Sequence, residues 1–98
     1  MSHEAPRRYL IAYDIPDDKR RVRIAKKLEE YGDRAQYSVF IVDGRPAKIL
    51  RLRAALELLI ERDVDSLLFC DLGAAPRATT LDFIGCRRWI TSDGPAVV

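Results

Sequence analysis

The chain has 98 residues, 48% of them hydrophobic, and its 17 Lys and Arg against 15 Asp and Glu give a formal net charge of +2. This length predicts one domain over residues 1–98, and without an apolar run near the ~18 residues of a membrane span, or a signal segment, we expect a cytoplasmic protein with no membrane contact. Because the only histidine, His3, lies in a polar tail, histidine acid–base chemistry and catalytic triads are excluded, and a metal held by carboxylates is the route left for catalysis. In that compartment Cys70 and Cys86 are expected to be reduced rather than bridged.

Strand and helix patterns alternate through the first half of the chain. Residues 8–14 are predicted to form a strand with apolar side chains on both faces. A helix follows the turn at Pro16-Asp17-Asp18 and ends at Gly32. Residues 34–42 are strand-like, either as one long bent strand or as two short strands joined at Tyr37-Ser38.

The second half repeats the alternation more weakly. After a break at residues 43–46, apolar spacing predicts a second helix from Ile49 up to about Arg62. Residues 65–72 form the next predicted strand, and short strands are expected at 87–91 and 96–98.

The order βαββαβ with a β-rich tail predicts an α+β fold, a ferredoxin-like sandwich of two helices on one face of an antiparallel sheet. We expect the core over about residues 8–72, and an extra β segment in the tail, residues 73–98, at a dimer or partner interface. Since the helices cover one sheet face while the first strand is apolar on both, a homodimer that closes through the other face is predicted.

Asp14 stands at the carboxyl end of the first predicted strand. In the usual ferredoxin-like order this strand lies between the third and fourth and runs antiparallel to both, which places Asp14 near Ser38 and Asp65-Ser66 and far from Asp71. Two interpretations remain open: a turn or cap residue paired with Arg21, or a metal ligand. Mg²⁺ takes one or two carboxylates and several waters, so Asp65 is kept as a reserve ligand.

Positive charge is concentrated in residues 1–53, which carry 13 Lys and Arg against 8 Asp and Glu. Arg20, Arg23 and Lys27 are predicted to form an outward row on the first helix, while Arg21 lies on its inner stripe and points toward the Asp14 end of the sheet. A basic helical row without interspersed acidic residues favours nucleic-acid binding over a merely solvated face.

The motif Tyr13-Asp14-Ile15-x-Asp17-Asp18, followed by Arg21-x-Arg23 and by Arg34-x-Gln36-Tyr37-Ser38-Val39-Phe40, resembles the CRISPR-associated Cas-two family, the small dimeric proteins of spacer acquisition. The resemblance implies a ferredoxin-like homodimer in which Asp14 of each protomer faces a shared divalent metal, Mg²⁺ or Mn²⁺, and a partnership with the Cas-one integrase. The positions that match functional positions of the family are Tyr13, Asp14, Arg21, Arg23, Arg34, Ser38 and Phe40. The chain departs from the family after Phe40, where Ile41-Val42 replaces acidic or small polar residues.

Three functions remain open at this stage. The first is a Mg²⁺-dependent endonuclease, with Asp14 as metal ligand and a catalytic site completed by Tyr13, Arg21, Ser38 and Phe40. The second is an architectural subunit that holds duplex DNA by its phosphates and performs no chemistry, with a nucleic-acid surface formed by Arg20, Arg23, Lys27 and Arg34. The third is a stand-alone RNA binder, and a toxin-type ribonuclease would share the first chemistry. RNA and DNA both remain candidate substrates, and Tyr13, Phe40 and Ser38 have purely structural alternatives.

Overall fold

The computed structural model describes residues 5–75 and 81–85, so the short strands expected at 87–91 and 96–98 lie outside the described residues. The elements in chain order are β1 (Arg7–Asp14), α1 (Asp18–Glu29), β2 (Asp33–Gln36), β3 (Val39–Gly44), α2 (Pro46–Glu57) and β4 (Ser66–Ala74). This order confirms the predicted βαββαβ arrangement. In this part of the chain no helix is long and apolar enough to cross a membrane.

The four strands form one antiparallel sheet in the order β2-β3-β1-β4. Because β1 runs antiparallel to both neighbours, its carboxyl end meets the starts of β3 and β4. Asp14 lies opposite Ser66, and the backbone N–H of Tyr13 donates to the carbonyl oxygen of Ser38 at 3.1 Å. Asp71 lies opposite Tyr9, well away from Asp14, as predicted.

Of the two arrangements expected for residues 34–42, the structure has two short strands joined by a turn at Tyr37-Ser38. The β2–β3 register shifts between Arg34 and Gln36, and such a bulge bends a strand and redirects its side chains. Arg34 lies opposite Phe40 in this ladder.

Helix α1 is capped by Asp17, whose side chain accepts a hydrogen bond from the backbone N–H of Arg20 at 2.8 Å. An acidic residue in the first turn and two lysines in the last turn complement the helix dipole. Ile24, Ala25 and Leu28 form its buried stripe.

Helix α2 begins with Pro46 in its first turn and ends at Glu57, so the prediction that it continues to about Arg62 is wrong. Past Leu58 the chain tightens into turns, in which the N–H of Leu59 donates to the carbonyl oxygen of Leu56 at 2.9 Å. Leu59 and Ile60 still pack against the core from these turns. The apolar spacing of α2 therefore continues beyond the end of the helix at Glu57, which is why the sequence predicts a longer helix.

The core lies between the two helices and one face of the sheet. Its fully buried side chains are Ile11, Ile24, Leu28, Phe40, Val42, Leu52 and Leu56. The opposite face, here called the open face, carries Leu10, Ala12, Val39, Ile41 and Leu68, because side chains alternate along a strand. Residues 81–84 share a groove with part of this face, and Leu68 is 57% exposed.

Candidate functional site

Asp14 is exposed, and its side chain makes no hydrogen bond or ion pair with any residue in the part of the chain that the structure describes. Arg21 does not pair with it: the Arg21 guanidinium donates to the carbonyl oxygen of Ile15 at 2.9 Å and pairs with Asp18. The cap of α1 is Asp17. The cap role and the pairing with Arg21 are therefore wrong, and the Asp14 carboxylate has no partner among the described residues.

One chain supplies a single carboxylate, that of Asp14, at the end of β1. Within residues 5–75 and 81–85, no three His, Cys, Asp or Glu side chains come together as a metal cluster. Mg²⁺ and Mn²⁺ prefer oxygen ligands, and Mg²⁺ binds through one or two carboxylates while it keeps several waters. The chemistry of Asp14 fits such an ion if a second copy of the chain contributes the second carboxylate.

Asp65, the reserve ligand, is fully engaged within the fold. Its side chain has no exposed surface, and its two oxygens accept from Nε and Nη2 of Arg20 at 2.8 and 3.0 Å. One of them also accepts from the backbone N–H of Glu61 at 2.8 Å. The Arg20 guanidinium lowers the pKa of Asp65 against the opposing effect of burial, so the carboxylate stays charged and already paired. Its use as a metal ligand is therefore excluded.

The same pair corrects the predicted outward row on α1. Arg20 turns back toward Asp65 and only 21% of its side chain is exposed, because a buried carboxylate captures its guanidinium. The Nζ atom of Lys27 lies 3.2 Å from Oε1 of Glu30, so Lys27 is also paired. Arg23 is exposed and its side chain has no partner among the described residues.

Exposed cations on α1 instead share one surface with Arg23. Lys19, Arg23 and Lys26 fall at i, i+4 and i+7 and line a shallow groove together with Val22 and Asp18. This set of three cations is here called the α1 basic face, and in the sequence it lies within the basic segment of residues 19–27. Only the structure separates the cations that are free in the described chain from those that are paired.

Tyr13 is buried beneath the turn between β2 and β3. Its hydroxyl donates to the carbonyl oxygen of Tyr37 at 3.2 Å. Its backbone N–H donates to the carbonyl oxygen of Ser38, the next residue of the turn. Burial raises the pKa of Tyr13, partly offset by the guanidinium of Arg34, so the phenol stays protonated at neutral pH. Tyr13 thus holds the turn, with half-buried Ser38, next to the end of β1.

Phe40 is completely buried, and its ring contacts the guanidinium of Arg34. The Cζ atom of Arg34 lies 5.1 Å from the centroid of the Phe40 ring, a cation–π arrangement that orients the guanidinium. The Nε atom of Arg34 is buried without a hydrogen-bond partner, which leaves one donor unsatisfied.

Fold and site together define a class: a small ferredoxin-like protein with an unpaired carboxylate at the end of its first strand, beside arginine side chains. Within this class, the chain matches the family described as CRISPR associated protein Cas2 over residues 7–79, and it belongs to that family. This confirms the predicted resemblance to the Cas-two family.

Individual relatives agree with this assignment. The chain is 37% identical to the CRISPR-associated endoribonuclease Cas2 3 of Rhodospirillum rubrum, over 91% of this chain and 98% of that protein. The crystal structure of a hypothetical protein from Thermus thermophilus is 34% identical, with a TM-score of 0.76 over 85% of this chain and 95% of the other. The crystal structure of Streptococcus pyogenes Cas2 at pH 6.5 is 32% identical, with a TM-score of 0.64 over 76% of this chain and 99% of the other.

Proposed function

We propose that the protein is a nucleic-acid-binding homodimer of CRISPR adaptation that acts with the Cas-one integrase and hydrolyses phosphodiester bonds with Mg²⁺ or Mn²⁺. The observation that carries this proposal is the unpaired, exposed carboxylate of Asp14, whose neighbour Arg21 is engaged with Asp18 and Ile15. The endoribonuclease name of the Rhodospirillum rubrum relative supports nuclease activity.

The open face supports dimerisation. Leu10, Ala12 and Val39 are only half-buried in one chain and Leu68 is mostly exposed, so a second copy of the face would remove apolar surface from water. Asp14 follows Ala12 at the alternating position on this same face, since Tyr13 between them points into the core. A two-fold dimer through the open face would therefore bring the Asp14 residues of both protomers to the same interface.

The side chains around Asp14 have separate tasks in this proposal. A divalent ion held by the two Asp14 carboxylates would activate water and neutralise phosphate charge. Arg21, whose guanidinium is held by Asp18 and by the carbonyl oxygen of Ile15, and Arg34 would supply positive charge toward the phosphate. Tyr13 keeps the turn in place, and Ser38 offers a hydroxyl donor from it.

The α1 basic face binds the nucleic-acid backbone outside the reacting centre. Its three cations have no ion pair among the described residues, so their charge is available to phosphates. Such contacts carry no sequence information, which suits a protein that handles nucleic acid of any sequence.

A purely architectural role is the second candidate. It is favoured by the presence of only one free carboxylate at the candidate centre and by the lack of a three-ligand cluster in the described chain. In that case the dimer holds duplex DNA and spaces two integrase dimers, and Asp14 has no catalytic task.

Replacement of Asp14 by Asn separates these functions. The amide keeps the shape of the side chain and removes the charge that attracts Mg²⁺, so cleavage of RNA or DNA should fall by about 10² or more, while duplex binding persists. Asp33→Asn is the matched control, because Asp33 is also exposed and has no partner within the described residues.

The enzyme part of the proposal fails if the wild-type protein cleaves neither nucleic acid with Mg²⁺ or Mn²⁺, or if cleavage persists in Asp14→Asn. Sedimentation of the same samples shows whether the variant changed assembly instead of chemistry. Partnership is tested by mixing the protein with a Cas-one integrase and measuring the mass of the complex by light scattering.

A further inference from the structure

The ion pair between Arg20 and Asp65 joins two segments that meet at Asp14. Arg20 lies in the first turn of α1, six residues after Asp14, and Asp65 immediately precedes β4. The pair is bidentate, and its carboxylate is sealed from solvent. It is therefore a fixed link between the start of α1 and the start of β4.

This link closes a ring that contains Asp14. From Asp14 the chain runs through residues 15–19 to Arg20, and the Arg20 guanidinium joins Asp65. The residue after Asp65 is Ser66, which lies opposite Asp14 in the sheet. The segment inside the ring is also fixed, since Ile15 is buried and its carbonyl oxygen accepts from Arg21. The position of Asp14 is thus defined from both sides.

Stability alone is a weak reason for such a pair. Removing two charges from water costs free energy that their attraction often only balances, so a buried ion pair tends to fix a geometry rather than to add stability. A second bidentate pair, between Arg8 and Asp43, has the same form, with distances of 2.8 and 2.9 Å, but it lies at the other end of β1 and is partly exposed.

We propose that Arg20, held by Asp65, is a positioning residue that fixes Asp14 for divalent-ion binding, and that it does not contact nucleic-acid phosphates. This inference rests on the proposed role of Asp14 as a metal ligand. Arg20 would then act on the metal site through the chain between it and Asp14 and through Asp65 and Ser66, without contacting Asp14 itself. Loss of a partner that supports a metal ligand typically weakens metal affinity by about 10- to 100-fold, and the lower end of this range is expected for Arg20.

The test measures Mn²⁺ binding to the full-length dimer by electron paramagnetic resonance, with Mn²⁺ alone as the probe. Arg20→Met keeps an unbranched side chain and removes the fork, so the Kd for Mn²⁺ should rise about tenfold or more. Arg20→Lys keeps the charge but cannot bridge both carboxylate oxygens, and an intermediate rise is expected. Arg8→Met, which breaks the equivalent pair at the far end of β1, should leave the Kd unchanged.

Circular dichroism and thermal melting of the same samples establish whether each variant is folded. If Arg20→Met is unfolded, the Kd for Mn²⁺ of Arg20→Lys is compared with that of the wild type instead. Wild-type Mn²⁺ affinity in folded Arg20→Met, with binding lost in Asp14→Asn, would overturn the positioning role and leave the proposed metal site intact. If the wild-type dimer binds no Mn²⁺, both fall. A salt dependence of duplex binding that drops by about 0.9 in Arg20→Met would show a phosphate contact and also overturn the inference.

Discussion

The hydroxyl of Tyr13 donates a hydrogen bond to the backbone carbonyl oxygen of Tyr37, 3.2 Å away, from a ring that is almost completely buried. This bond ties the core to an exposed turn, since 69% of Tyr37 is accessible to solvent. The turn also carries Ser38, whose carbonyl oxygen accepts from the backbone of Tyr13. Two hydrogen bonds from one core residue therefore hold the turn that borders the end of β1.

Tyr13→Phe should lower the free energy of unfolding by about 0.5–1.5 kcal/mol, because one hydrogen bond is lost while the ring and its packing remain. Urea denaturation followed by circular dichroism measures the change. Tyr31→Phe is the control, since the hydroxyl of Tyr31 has no hydrogen-bond partner among the residues described and its removal should change stability little. Equal losses in the two variants would contradict the structural role of the Tyr13 hydroxyl.

Sedimentation at micromolar concentration should show a dimer that dissociates on dilution. Leu68→Lys places a charge on the open face, and an unpaired charge at an interface costs several kcal/mol, so the dimer Kd should rise by the order of 10² or more. Leu50→Lys is a matched change: Leu50 is exposed to 65% but lies on α2, away from the sheet. A monomer at all concentrations would also remove the shared Asp14 site.

Neutralisation of the α1 basic face, by changing all three of its cations to Gln, should weaken duplex binding and reduce its salt dependence. Each phosphate contact contributes about 0.9 to the slope of log K against log salt, so the slope should fall by up to about 2.7 per helix. The control removes equal charge elsewhere, at Arg45, Arg51 and Arg62. The comparison is made by binding titrations between 50 and 200 mM salt. Over this range the affinity of a protein with many phosphate contacts falls by roughly 10³–10⁵-fold. An unchanged slope would identify this face as solvated surface.

The Arg20–Asp65 pair predicts a pH dependence of stability. The pKa of Asp65 is lowered in the folded protein, so the stabilisation by its charge is complete above the unfolded pKa of about 3.9 and is lost as the pH falls through the folded pKa. The Tm difference between wild type and Asp65→Asn should therefore be largest near neutral pH and shrink below about pH 4.

High salt should distinguish the Arg20–Asp65 pair from the partly exposed Arg8–Asp43 pair. Arg8 likewise lowers the pKa of Asp43, but both side chains of this pair are partly exposed. The contribution of the Arg8–Asp43 pair to Tm should therefore be smaller, and it should decrease further in 1 M NaCl. The Asp65→Asn effect on Tm should persist at that salt concentration, because its carboxylate is buried. A loss of both effects in salt would contradict the burial of Asp65.

Much of the fold could be predicted from local patterns. Alternation of apolar side chains located β1, and helical spacing together with the Asp17 cap located α1. Once the order βαββαβ was known, the antiparallel sheet placed Asp14 beside Ser38 and Ser66. The end of α2 was predicted too late in the chain, because a turn that packs apolar side chains continues the same spacing as a helix.

The sequence by itself determined where the chemistry-bearing residues lie along the strands and helices, including Asp14 at the end of β1 and Arg21 on the inner side of α1, because these positions follow from short-range periodicity. Only the tertiary structure decided which charges are free. Arg20 and Arg23 are three residues apart on one helix, yet Arg20 is held by a carboxylate 45 residues away in the chain and Arg23 is exposed. Ion pairing depends on which distant residues the fold brings within about 4 Å, and the pattern of one helix contains no information on that distance.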